Sequence, residues 1–149
     1  NFITIITALA IAIIFIYINA QKTIRDAFRI SDIAKIQAGL SIFLSETNRY
    51  PEGKNLILGG PNSQILCLPQ DFRSAKGFKP SDSSCQDKLL LNPAPTAPIS
   101  GLPYIYNLTQ DKNGLDSYSI LFSLEKGIGQ EFSKGSYCAT PTEIKKGEC

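Results

Sequence analysis

A chain of 149 residues with fifteen basic and thirteen acidic side chains, a formal net charge of +2, suits one small domain plus an appendage and is too balanced to point to nucleic acid or to an acidic partner. It contains no histidine, so the commonest general base and metal ligand are missing and Ser-His-Asp and Cys-His arrangements are excluded. Its four cysteines, Cys67, Cys85, Cys138 and Cys149, form no C-x-x-C pair and lack a histidine to complete a zinc site, which points to disulfides and an oxidising, exported location.

The first predicted element is an apolar helix. From Phe2 to Ile18 the only polar side chains are Thr4, Thr7 and the hydroxyl of Tyr17, and no charge, glycine or proline interrupts the run. At roughly 1.5 Å per residue it covers about 26 Å, close to the hydrocarbon thickness of a bilayer. A helix apolar on every side has to be buried all round, in lipid or among other helices. Phe2, Ile5, Leu9, Ile13, Phe15 and Ile16 are its candidate buried residues. A cleaved signal peptide would show a shorter apolar core, a basic lead and a small-residue cleavage site. A plain single-span anchor fits the length equally well.

The helical pattern continues without a break. Between Gln21 and Asn48 there is no proline and one glycine, Gly39. Ile33, Ile36, Leu40, Phe43 and Leu44 recur at three- and four-residue steps and line one face, an amphipathic stripe able to pack on a head. Lys22, Asp26, Arg29, Asp32 and Lys35 follow one another at i,i+3 or i,i+4 spacing, which reads as weak pairs on a solvated face. Pro51 biases Tyr50 away from helical angles, so the helix is expected to end near Asn48. No glycine-, serine- or proline-rich linker separates the two parts, and the whole helix reads as one rod.

Composition changes at Pro51. The segment 51–103 holds all but one of the nine prolines. It carries a turn signal at Gly59-Gly60-Pro61-Asn62-Ser63, an apolar piece at Ile65-Leu66-Cys67-Leu68 able to pack on the helix, and an extended Pro93–Pro98 run too proline-rich for a central strand. Residues 103–125 read as a β-hairpin: Tyr104, Tyr106 and Leu108 alternate, as do Tyr118, Ile120, Phe122 and Leu124, around a turn at Asp111–Asp116. Asp111, Asn113 and Asp116 are a weak calcium candidate, since the turn is oxygen-rich but lacks the full spacing of a calcium loop, and a bare turn is the simpler reading. The tail 135–149 is expected to add a strand around Tyr137-Cys138-Ala139. Four cysteines allow three pairings. The sequence-local one, Cys67 with Cys85 and Cys138 with Cys149, is favoured because short closures form most easily. Gly127-x-Gly129 and Gly59-Gly60 lack a phosphate-loop context. With no catalytic set in view, the chain is expected not to be an enzyme and to need no cofactor.

The order of apolar rod, Arg25-Asp26-Ala27, Arg29-Ile30-Ser31-Asp32-Ile33, Ile36-Gln37, Leu40 and a Tyr50-Pro51 stop resembles the type IV pilin and pseudopilin family. Pro103-Tyr104-x-Tyr106, Tyr118-Ser119-Ile120 and Leu124-Glu125 are similar to that family's head strands. Gly39 stands where the family usually has alanine, and Phe43 where it has tyrosine. No acidic residue precedes Asp26, and Tyr50-Pro51 arrives sooner than in the family. Both fit a chain whose first mature residues, a glutamate among them, lie ahead of Asn1.

The resemblance implies an α+β fold, with the long helix packed on a small antiparallel head. Residues 1–20 would form the filament core or membrane span, 21–50 the amphipathic continuation, and 51–149 the head, divided at 103 and 126. It implies a structural subunit that polymerises with itself into an extracellular pilus for adhesion, motility or DNA uptake. It further implies membrane insertion before assembly, an inner-membrane assembly machinery, processing by a prepilin peptidase, and methylation. A pseudopilin of a type II secretion or competence system shares this build, and some such heads bind calcium. A binding domain on a single-span anchor is the alternative from another class.

Overall fold

A computed structural model describes residues 2–71, 73–81, 85, 88–98 and 101–149. One helix, α1 (Phe2–Thr47), is followed by β1 (Leu56–Ile57), β2 (Ile65–Cys67), β3 (Phe78–Lys79), β4 (Leu89–Leu91), β5 (Ile105–Gln110), β6 (Asp116–Ile128), β7 (Phe132–Ala139) and β8 (Ile144–Lys146). All strand pairings are antiparallel. Five strands form one sheet in the order β1-β5-β6-β7-β8, and three form a second in the order β3-β2-β4. The class is α+β, a long helix on antiparallel sheet.

At roughly 1.5 Å per residue α1 is about 69 Å long. It stops where the sequence loses helical geometry. Asn48 turns to φ +57°, its amide still reaching Leu44 O at 2.8 Å, and the Thr47 hydroxyl bonds Phe43 O at 2.8 Å. Pro51 follows, and its carbonyl accepts the buried Tyr106 hydroxyl at 2.6 Å, which pins the chain to the sheet as it leaves the helix.

The C-terminal half of α1 lies on β6, its strongest strand contact. Ile33, Ile36, Leu40 and Phe43 are fully buried, and Tyr118, Ile120, Phe122 and Leu124 share the same core. Leu44 is half-buried at its edge. Side chains spaced three and four along the helix thus meet every second residue of the strand, the two periods that bring one face of each element together. Tyr50, Tyr106, Tyr118 and Phe78 close the end of the core near the helix C-terminus, with ring centroids 4.9 to 6.1 Å apart. Such edge and offset contacts suit aromatic quadrupoles.

The loop-rich segment is held by the smaller sheet. All three β2 residues are buried, and Leu66 and Leu68 enter the main core. Leu66 and Leu68 share that core with the buried face of the helix, and β4 also packs on α1. A Cβ on Gly39 would lie 3.0 Å from Leu91 Cγ, so the bare backbone there lets Leu91 seat against α1. Gly77 performs a similar service over Phe43, where an added Cβ would come within 2.5 Å of Cε2. The Pro93–Pro98 run forms no strand, although the Ala94 amide bonds Gln64 O at 2.7 Å. Disulfides join Cys67 to Cys85 and Cys138 to Cys149.

The hairpin read over 103–125 corresponds to β5 and β6, but β6 runs on to Ile128 and turns back into β7 through Gly129, Gln130 and Glu131. A bulge interrupts that second ladder: Leu124 faces Gly135 and Gly127 faces Ser133, so β6 carries one extra residue between them.

Candidate functional site

Two features of α1 define the candidate site: an uncovered apolar half, and a buried charge cluster where that half meets the head. Every residue from Phe2 to Ile18 is exposed, and the most apolar stretch of the helix has none of its residues buried. Phe2, Ile5, Leu9, Ile13, Phe15 and Ile16 expose 58 to 78% of their surface. An apolar surface of this extent marks a contact with lipid or protein.

The charge cluster corrects the solvated-face reading of Asp26 and Arg29. Both are fully buried. The bulge in β6 turns three successive amides, those of Glu125, Lys126 and Gly127, toward the Asp26 carboxylate, each at 2.8 Å. Consecutive backbone N–H groups in such a bend form an anion cradle. Gly127 makes the bend possible, with φ +97° and a backbone so close to Phe132 that a Cβ would lie 2.2 Å from its carbonyl oxygen.

Arg29 donates to Asp26 at 2.8 Å and to Glu125 at 2.9 Å, and Arg25 grips Glu125 through two bonds of 2.8 Å. Two guanidiniums thus face two carboxylates, and the cluster is neutral. Gly101, at φ +108°, covers it; a Cβ there would lie 2.9 Å from Arg29 Nη2. One turn on, Tyr104 donates to Asp32 at 3.0 Å, while the Asp32–Lys35 pair is a surface contact at 3.8 Å.

These contacts set the ionisation of the acids in opposite directions. Burial alone would push the Asp26 carboxyl up, but the three amides and Arg29 outweigh it and hold Asp26 below the ordinary carboxylate range. For Asp32 burial wins over the Tyr104 and Lys35 contacts, and its carboxyl is raised. Burial and the neighbouring carboxylate push the Tyr104 phenol well up, so it remains a donor.

Asp111, Asn113 and Asp116 lie at the far end of β5 and β6. Asp111 Oδ1 accepts the amides of Asn113 and Leu115 at 2.7 and 2.9 Å, so this carboxylate closes its own turn. Asp116 sits in the ladder opposite Gln110. Among the described residues no group of three or more His, Cys, Asp or Glu is placed to hold a metal.

The arrangement is a long N-terminal apolar helix on an antiparallel sheet, a pilin-like fold, with an oxidised head and a helix able to anchor in a membrane. No family model matches the chain, and no curated protein or solved structure does.

Proposed function

We propose that this chain is a structural subunit of a type IV pilus, held in the membrane by Phe2–Ile18 before assembly and polymerising with copies of itself through the same helix. The observation that carries the reading is an apolar half-helix, exposed all round, that continues without a linker into a helix locked on its head. A domain on a simple anchor needs no such rigid junction. A polymer built from rods does, because the head can take a fixed position on the filament only if it is fixed to the rod.

The outward side of α1 within the head lends support. Ile24, Phe28 and Ile42 are 39 to 60% exposed, and Ala27, Ser31, Ala34, Ala38 and Ser41 beside them are small. Lys35 is the one charge on this face between Ala27 and Ser45. Small and apolar residues let a second helix approach closely. Moving the rod from lipid to a core of helices is nearly neutral in hydrophobic terms, so assembly rests on packing and on an assembly machinery, with a prepilin peptidase releasing the subunit.

Ile11→Asp tests the proposal. Ile11 is 68% exposed on the free rod. A carboxylate there would lie unpaired among apolar helices at a cost of several kcal/mol, on the order of that for any ion buried without a partner. Electron microscopy of cells making the native chain should show long filaments, and of cells making the variant, none. Short filaments seen only on overproduction would favour a pseudopilin. No filament from the native chain would leave the membrane-anchored binding domain.

A further inference from the structure

We infer that the head rests its β6–β7 hairpin and a ring of lysines on the membrane surface, where they contact anionic phospholipid headgroups, during the membrane-held stage of the reading above. Helix and strand run in opposite directions across their contact: Asp26 meets residues 125–127, and Tyr50 meets Tyr118. Beyond the bulge, β6 therefore heads back toward the apolar half of α1. One more strand residue past Gly127, at roughly 3.3 Å, and the turn of Gly129, Gln130 and Glu131 beyond it, bring Gln130 no more than about 7 Å below the level of Asp26. Asp26 itself stands eight residues, or about 12 Å, above Ile18 along the helix axis. The tip of the hairpin thus stands within about one helical turn of the end of the apolar run. A bilayer that covers Phe2–Ile18 puts Gln130 and Glu131 in its headgroup layer, which is about 5–7 Å deep on each side.

The side chains around this level are basic. Lys22 lies one helical turn above Ile18. Lys126 is exposed in the bulge, and Lys134 is exposed across from it on β7, between the partners of Leu124 and Gly127. Lys146 reaches the same place and donates to Ser133 at 2.6 Å. Against these four stands Glu131 in the turn, while Glu125 in the bulge is paired with Arg25 and Arg29. All lie within about a Debye length of the headgroups, the range over which anionic lipid attracts lysine. The cluster of Asp26, Arg25, Arg29 and Glu125 keeps the head from swinging clear of the surface, and no linker gives it room to do so.

The full chain, reconstituted into vesicles, tests this. An environment-sensitive fluorophore is placed on Gln130→Cys and, separately, on Asn113→Cys at the opposite end of β6; the native cysteines are engaged in disulfides. Vesicles of equimolar phosphatidylglycerol and phosphatidylcholine carry a headgroup-linked quencher. The expected result is quenching several-fold stronger at Gln130 than at Asn113, falling by half or more when Lys126→Glu and Lys134→Glu are added. Circular dichroism checks that this variant is folded.

Equal quenching at the two positions in chains that float with the vesicles would overturn the inference and leave the membrane-held stage standing. So would quenching at Gln130 that ignores the lysine changes, since headgroup charge would then play no part. A native chain that floats with no vesicle would remove the membrane-held stage itself, and the inference with it.

Discussion

A carboxylate and a guanidinium taken wholly out of water each lose several kcal/mol of hydration, about enough to unfold a small domain if left uncompensated. Asp26 and Arg29 are tolerated because nearly every direction around them is answered: three amides and a guanidinium for the acid, two carboxylates for the base. Removing one side of such a pair costs far more than the pair contributes. Asp26→Ala should therefore lower the stability of the full chain in detergent by about 3–5 kcal/mol, read as a large drop in thermal midpoint by circular dichroism. Asp26→Asn keeps one acceptor and should cost less. The pH response follows from the depressed Asp26 carboxyl. Its contribution is complete above the unfolded value near 4 and is lost as pH falls through the lower folded value, because the unfolded chain then binds the proton more readily. Asp32, whose carboxyl is raised, works in the opposite sense and gains stability on protonation. The acid-induced fall in melting temperature should thus steepen in Asp32→Asn and flatten in Asp26→Asn. Equal slopes in native chain and Asp26→Asn would show that Asp26 does not govern acid stability.

Between elements, the contact of α1 with β6 makes half of the buried core, the rest coming from Tyr50, Leu58, Leu66, Leu68, Tyr104, Tyr106, Tyr137 and Ala139. Phe43 is fully buried beneath Gly77, whereas the Lys35 side chain is 63% exposed. Phe43→Ala should cost about 3–5 kcal/mol through the cavity it leaves, and Lys35→Ala less than about 0.5. Denaturant midpoints would compare them, and similar values would mean that Phe43 is not a core residue. This contact was legible in the sequence because each face repeats its own period: Ile33, Ile36, Leu40 and Phe43 along the helix, Tyr118, Ile120, Phe122 and Leu124 along the strand. The charge cluster was not legible. Asp26 and Arg29 sit at i,i+3, the same spacing as an ordinary surface pair, and what buries them lies about a hundred residues away in a bulge. Glu125 and Lys126 break the strand's alternation and read as its end, so the continuation of β6 through Ile128 and the hairpin beyond it were missed. The only local hint was Gly127, placed where a strand needs positive φ.

For the molecule as a whole, covalent closure and the rod have separate roles. The Cys138–Cys149 bond closes the end of the chain back onto β7, over a sequence separation of 11. On loop entropy it contributes about 3 kcal/mol. Replacing both cysteines by serine should lower the denaturant midpoint accordingly, with no effect on flotation with vesicles, because the rod is untouched. A loss of flotation would mean that the C-terminal loop bears on the membrane-facing part of the chain.

The turn from Asp111 to Leu115 has a practical consequence. Asp111 closes it through its own carboxylate and carbonyl, Leu115 points outward at 64% exposure, and the turn stands at the opposite end of β6 from the rod. Nothing that holds the helix to the head passes through it. A short peptide tag inserted after Asn113 would lengthen a loop, which costs only a fraction of a kcal/mol per doubling, roughly 0.6. It would be carried at the end of the head farthest from the apolar half of α1. If the chain assembles as proposed, antibody labelling of such a tag would count and orient its copies without disturbing the contact of helix and head.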